Sequence, residues 1–229
     1  MARDWDSSDH SQGDCMSIGS SESIASDPVD SDFSIVFVLG GPGAGKGTQC
    51  ANIARDFYVK HLSVGDVLRT ERDTPGSAYG EIIARNMEEG RIGPMNLTVE
   101  LLKNAMEAAR QNDGLKVFLI DGFPRKMDQL YLFESTVSRA TFALFLDSSE
   151  DVRLQRLQQR AMIENRRDDT ADTIQKRFHT FNDTCMVVVK HMYGQRRLKG
   201  VDANGEIGTV YAEIEGALIK SLGERLERR

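Results

Sequence analysis

Apolar residues along this chain fall into two kinds of run. Short, nearly continuous ones, rich in β-branched and aromatic residues, occur at Ile35–Leu39, near His61–Leu62, and at Val117–Asp121, Phe142–Asp147 and Leu198–Asp202. Runs of this length predict strands, and an uninterrupted one such as IVFVL predicts a strand buried on both faces. Between them lie longer stretches whose apolar residues recur at steps of three and four, the mark of a helix with one buried face. The period is clearest over Asp172–Val189, through Ile174, Phe178, Phe181, Cys185 and Val188. It returns near the C-terminus through Ile207, Val210, Tyr211, Ile214, Leu218 and Leu222. Both stripes read as core. Ser148–Ser149, followed by acidic residues, marks a capped helix start after the fourth strand. Strands alternating with helices predict an α/β fold with a parallel sheet, and no internal repeat competes with it.

In such sheets, chemistry collects at the carboxyl ends of the strands. The first strand runs into GGPGAGKGTQC, where Gly40, Gly45 and Lys46 fit the pattern G-x-x-x-x-G-K between a strand and a helix. Glycines let backbone N–H groups approach phosphate oxygens closely, and the helix N-terminus adds positive potential. This is a site for a nucleotide's phosphate chain. The hydroxyl that usually follows the lysine arrives one place late, at Thr48. DGFPR follows the third strand: Asp121 is placed to hold Mg²⁺ directly or through water, and Arg125 to clamp a phosphate bidentately. HLSVGDVLR ends in Arg69, QQRAMIENRRDD (158–169) carries three arginines, and Arg177 follows on the next helix. Phosphoryl transfer between nucleotides gathers negative charge in one cleft, so it needs positioned cations, a metal and exclusion of water.

Composition narrows the setting. Hydrophobic residues make up 40% and charged residues 28% of the 229, ordinary for a globular domain with small inserted modules. No apolar stretch approaches the roughly 20 residues of a membrane span. The net charge of −6 is uneven: residues 1–32 hold one basic and eight acidic residues, leaving residues 33–229 at +1. That first segment, with nine serines and few apolar residues, is expected to be a disordered acidic tail, unlike either a secretory signal or a mitochondrial presequence. Cytoplasm or nucleus is the expected address. Cys15, Cys50 and Cys185 lack metal or disulfide spacing and read as reduced thiols, the last two as small core residues of helices. A nearly neutral folded part without aromatic–basic interleaving argues against nucleic-acid binding.

GGPGAGKGTQC, HLSVGDVLR, EGRIGP (Glu89–Pro94), FLIDGFPRKMDQ and RRDDTADTIQKRF occur in the order and spacing of the nucleoside monophosphate kinases. The resemblance covers about residues 34–222. It is closest to the UMP/CMP kinase branch, and FPRKMDQ resembles the fungal uridylate kinases in particular. It implies a P-loop three-layer fold with a five-stranded parallel sheet, a monophosphate-binding insert at about 63–91 and a short lid at about 160–170. It also implies a monomer that uses Mg·ATP and a nucleoside monophosphate. By the same resemblance, Gly43, Ala44, Gly45, Lys46, Gly47 and Thr48 cradle the ATP phosphates, and Lys46 meets the transferring one. Arg160 serves the ATP side, and the backbone of Gly205 meets the adenine. Arg69 and Arg125 grip the acceptor's phosphate, while Arg166 and Arg177 span donor and acceptor. Arg91, Ile92, Gly93, Gly122, Phe123 and Gln129 complete the acceptor site, and Asp121 organises Mg²⁺ through water.

Two departures from the family pattern carry consequences. The family lid usually reads R-G-K-x-S-G-R; Arg160–Arg166 keeps both arginines and loses both glycines, so a stiffer lid is expected. Val64 stands where adenylate kinases usually place Thr and pyrimidine kinases Ala, and Gly93 where Val is common. Gln129 can both donate and accept, so it does not decide the base. The expected reaction is transfer from ATP to UMP or CMP, with dCMP a further pyrimidine acceptor and AMP secondary. The competing readings are an adenylate kinase and a nucleotide-binding regulator impaired in transfer.

Overall fold

The computed structural model describes residues 33–164 and 170–229. Its centre is a five-stranded parallel sheet of β1 (Ser34–Leu39), β2 (Lys60–Ser63), β3 (Val117–Asp121), β4 (Phe142–Asp147) and β5 (Leu198–Asp202), in the spatial order β2-β3-β1-β4-β5. The α/β expectation holds, and all five apolar runs are strands. Every residue of β1 is buried because the sheet has a core on each face. Ile35, Phe37 and Leu39 join Phe118 and Ile120 on one side; Val36 and Val38 join Val117 and Leu119 on the other. Side chains alternate across a strand, so two cores demand an unbroken apolar run. In β5, at the sheet edge, only Val201 is buried.

Helices α1 (Lys46–Asp56), α5 (Met127–Thr136), α6 (Glu150–Glu164) and α9 (Ile207–Leu222) follow β1, β3, β4 and β5 respectively. Between β2 and β3 come α2 (Val64–Asp73), α3 (Gly80–Glu88) and α4 (Met95–Asp113). Helix α9 buries Val210, Ile214, Leu218 and Leu222, while Ile207, at its first position, is 56% exposed. Tyr211 is partly buried and donates its hydroxyl to Asp56 Oδ2 at 2.6 Å.

The stripe over Asp172–Val189 is not one regular helix. It comprises α7 (Ala171–Thr180), a π-helical turn (Phe181–Cys185) and α8 (Met186–Gly194). Its apolar residues serve two clusters: Ile174 and Phe178 pack with Leu157 of α6, and Phe181 and Val188 join the main core. A wider turn rotates the stripe between these targets, a use to which π segments near functional sites are often put. Elsewhere a half-buried brace ties the foot of the sheet. Arg197 pairs with Glu134 at 2.5 Å and also donates to the Ala140 carbonyl, and Glu134 accepts the Ala140 N–H at 3.1 Å.

Candidate active site

The loop after β1 turns on glycines that no side chain replaces without strain. Gly40, Gly43 and Gly45 have φ of 150°, 82° and 86°. Gly45 caps α1 at its N-terminus, which leaves that helix's first N–H groups facing the loop. Lys46 folds back across the mouth and donates to the carbonyls of Gly40 at 2.9 Å and Gly41 at 3.0 Å. Removal from water lowers the pKa of its ammonium, and Asp121 partly opposes that. The Asp121 carboxylate, at the end of β3, is 10% exposed and lies 3.5 Å from His61 Nε2 of β2. A Cβ on Gly47 would sit 3.7 Å from it, so the glycine keeps open the path between carboxylate and loop.

Beyond the ends of β2 and β3, the structure brings together arginines far apart in the chain. Arg125 is half-buried, and its Nε donates to the Gly122 carbonyl at 2.9 Å. Desolvation lowers its pKa first; the charges of Arg177 and Arg69 lower it further, with Cys185 and Asp121 opposing. Three guanidinium groups therefore share one field beside Lys46, an arrangement suited to multiply charged phosphates. Arg69 pairs with Asp66 at 2.5 Å, on a helix started by Ser63, whose Oγ accepts the Asp66 N–H. Arg177 is held by the docking of α7 on the end of α3. Thr173 donates to the Glu88 carbonyl at 3.1 Å, Thr180 to the Gly90 carbonyl at 3.3 Å, and a Cβ on Gly90 would crowd Lys176 and Arg177.

Other predicted residues sit less simply. The Phe123 ring is fully buried against Phe37 and Phe133, so only its backbone is left to line a cleft. Gln129 is also buried, and its Oε1 accepts the Arg125 N–H at 2.9 Å. Its carbonyl end is thus already engaged and its amide Nε2 is the donor that remains. Arg91 is 69% exposed and paired with Glu89; Ile92 and Gly93 are half-buried beside it. Arg160 lies on α6, which runs on as helix through Ala161 to Glu164 where family lids carry glycine. Arg166 lies outside the described residues.

Sequence reasoning overlooked three groups. Arg156, one turn before Arg160, donates to the carbonyls of Ala203 at 2.8 Å and Gly205 at 3.0 Å, gripping the turn that leads into α9. Gln49 of α1 reaches the other side of that turn at the Ile207 carbonyl, 3.0 Å away. Cys185 packs half-buried against the main core, as expected, but it is also close enough to Arg125 and Lys46 for both to act on its thiol, although desolvation still raises its pKa. None of these contacts follows a repeating pattern that a sequence displays.

Residues 38–197 match the family model described as adenylate kinase. The chain belongs to the adenylate kinase family. Among members of that family, it is 44% identical to the UMP-CMP kinase of Lentinula edodes over 84% of this chain and 88% of the relative. It is 43% identical to the uridylate kinase of Saccharomyces cerevisiae over 82% and 92%. The adenylate kinase 1 of Schistosoma mansoni is 40% identical over 81% and 93%. The glycine-rich loop, Asp121 and Arg125 all fall inside the matched adenylate kinase region, and the acidic residues 1–32 fall before it. Among the described residues, no helix is long and apolar enough to cross a membrane.

Proposed function

We propose that this nucleoside monophosphate kinase transfers the γ-phosphoryl group of ATP to UMP or CMP, giving ADP and the nucleoside diphosphate. The observation that carries this reading is the convergence of Arg69, Arg125 and Arg177 beside Lys46 and Asp121, where β1 and β3 end. The relatives named for UMP-CMP and uridylate kinases favour pyrimidine acceptors, and AMP takes second place.

The backbone N–H groups of Gly43–Thr48 receive the donor phosphates, and Lys46 exchanges its bonds to the Gly40 and Gly41 carbonyls for the transferring phosphate. Arg69 and Arg125 hold the acceptor's phosphate, with Arg177 spanning the two. Arg160 and, outside the described residues, Arg166 close from the lid. The acceptor phosphate is already an oxyanion at neutral pH, so no general base is required; positioning and charge stabilisation supply the catalysis. Helices α2 and α3 form the acceptor insert, and the glycine-free start of the lid closes as a stiff arm.

Asp121 fits a magnesium ion coordinated mainly by phosphates and water. It is a single carboxylate facing the loop across Gly47, and no group of three metal-ligating side chains occurs among the described residues. There the ion would neutralise charge developing between donor and acceptor.

The test is ADP release in a coupled assay with Mg·ATP and UMP, CMP, dCMP or AMP at matched concentrations. Turnover strongest with UMP or CMP is expected. Turnover strongest with AMP would make it an adenylate kinase, and ATP binding without turnover would make it a regulator.

A further inference from the structure

Arg153 of α6 is a buried cation, 7% exposed, on a helix whose role above rests on Arg156 and Arg160. Its guanidinium carbon lies 4.9 Å from the Phe178 ring centroid and 5.3 Å from that of Phe181. The same group lies under the glycine-rich loop: a Cβ on Gly41 would fall within the guanidinium, and one on Gly43 would strike the Arg153 carbonyl. One side chain thus touches the loop and reaches both α7 and the π turn.

Both neighbours matter to the proposed chemistry. The Gly41 carbonyl accepts from Lys46 Nζ, and Phe178 follows Arg177 directly in α7. Burying a cation is costly, whatever its partners, and here the exposed Glu150 lies 3.9 Å away. An aliphatic side chain would fill the same space without that cost. What a guanidinium adds is a flat, rigid group that stacks on rings and seats against a glycine.

We infer that Arg153 is a positioning residue, which sets the phosphate-binding loop and the helix carrying Arg177 in one frame. This rests on the reading of Arg177 as a residue of phosphoryl transfer. In this role Arg153 touches no substrate; its effect is the placement of Lys46 and Arg177 relative to each other. Misplacement of reacting groups by about 1 Å is enough to lower a rate by as much as about a hundredfold.

The experiment is a double-mutant cycle on the full chain, with kcat and both KM values measured for wild type, Arg153→Met, Arg177→Ala and the double variant. Methionine keeps the length and favours aromatic neighbours, so melting close to that of wild type is expected. Arg153→Met is expected to lower kcat by about tenfold with both KM values little changed, and to have almost no further effect in the Arg177→Ala background. An equal loss of kcat in both backgrounds would overturn the inference, as would unchanged kcat in a well-folded Arg153→Met protein. If Arg177→Ala by itself leaves turnover intact, the reading of Arg177 fails and takes this inference with it. Should Arg153→Met melt early, Arg153→Lys runs the same cycle; it keeps charge and stem but lacks the plane, and partial recovery is expected. Full recovery by lysine would assign the effect to charge alone and refute the positional role.

Discussion

Replacing Arg156 with alanine tests the proposed donor half of the site. In the native structure two well-formed bonds hold the turn before α9, at 2.8 Å to Ala203 and 3.0 Å to Gly205; a third contact, to Asn204 at 3.5 Å, is marginal. Hydrogen bonds from a charged donor contribute about 1.5–3 kcal/mol each when sheltered, and this group is partly open to water. The turn also keeps other ties: Asn204 Oδ1 accepts the Ser149 N–H at 2.8 Å, and Asp202 accepts the Asn204 N–H at 3.0 Å. The net loss of order in the turn is therefore about 1–2 kcal/mol in total, well below the sum of the bonds. If that turn meets the adenine, the same energy appears as a rise of about 5–30-fold in KM for ATP. The acceptor's KM should stay unchanged, because Arg69 and Arg125 follow β2 and β3, across β1 from the turn between β5 and α9. Initial rates at varied ATP with saturating UMP, then the reverse, give both constants. An unchanged KM for ATP, or an equal rise for both substrates, would refute the reasoning.

Other consequences follow from single groups. Lys46→Met should keep ATP binding by calorimetry while kcat falls by about 10²–10³-fold, the scale set by losing a positioned charge at the transferring group; near-normal turnover would remove Lys46 from the chemistry. Arg197→Met leaves the partly buried Glu134 without its cation and should destabilise the fold by about 1–3 kcal/mol in urea melts. Substitution at Tyr211 should change how stability depends on pH at both extremes. The Arg55 guanidinium, followed by the Tyr211 hydroxyl, holds Asp56 down at about 2, so its contribution is present above the usual carboxylate range and lost as pH falls towards 2. Desolvation and then Asp56 push Tyr211 up to about 12, so its contribution is full below the ordinary phenol pKa and lost as pH rises through 12. Tyr211→Phe should abolish the alkaline loss and weaken the acid one; identical melting curves across pH for both proteins would refute this.

What was legible in the chain was local. Five strands showed because a sheet with a core on each face requires uninterrupted apolar runs, and the phosphate loop showed because its glycines and lysine are contiguous. The cations were individually visible in their strings, and the family resemblance gave them roles. What no local pattern carries is distance across the fold. Parallel register places Ser63 opposite Asp121 and so sets His61 beside the same carboxylate. The π turn, invisible in a stripe of threes and fours, ends at Cys185, whose thiol packs on the edge of the main core where the charges of Arg125 and Lys46 reach it. Arg156 and Arg153 look like solvated charges on a helix, yet the crossing of α6 over the sheet end turns one onto the Ala203–Gly205 carbonyls and the other beneath Gly41. Helical period determines which residues share a face. What that face meets depends on how the sheet's order and twist bring separate segments together, and that only the tertiary structure decided.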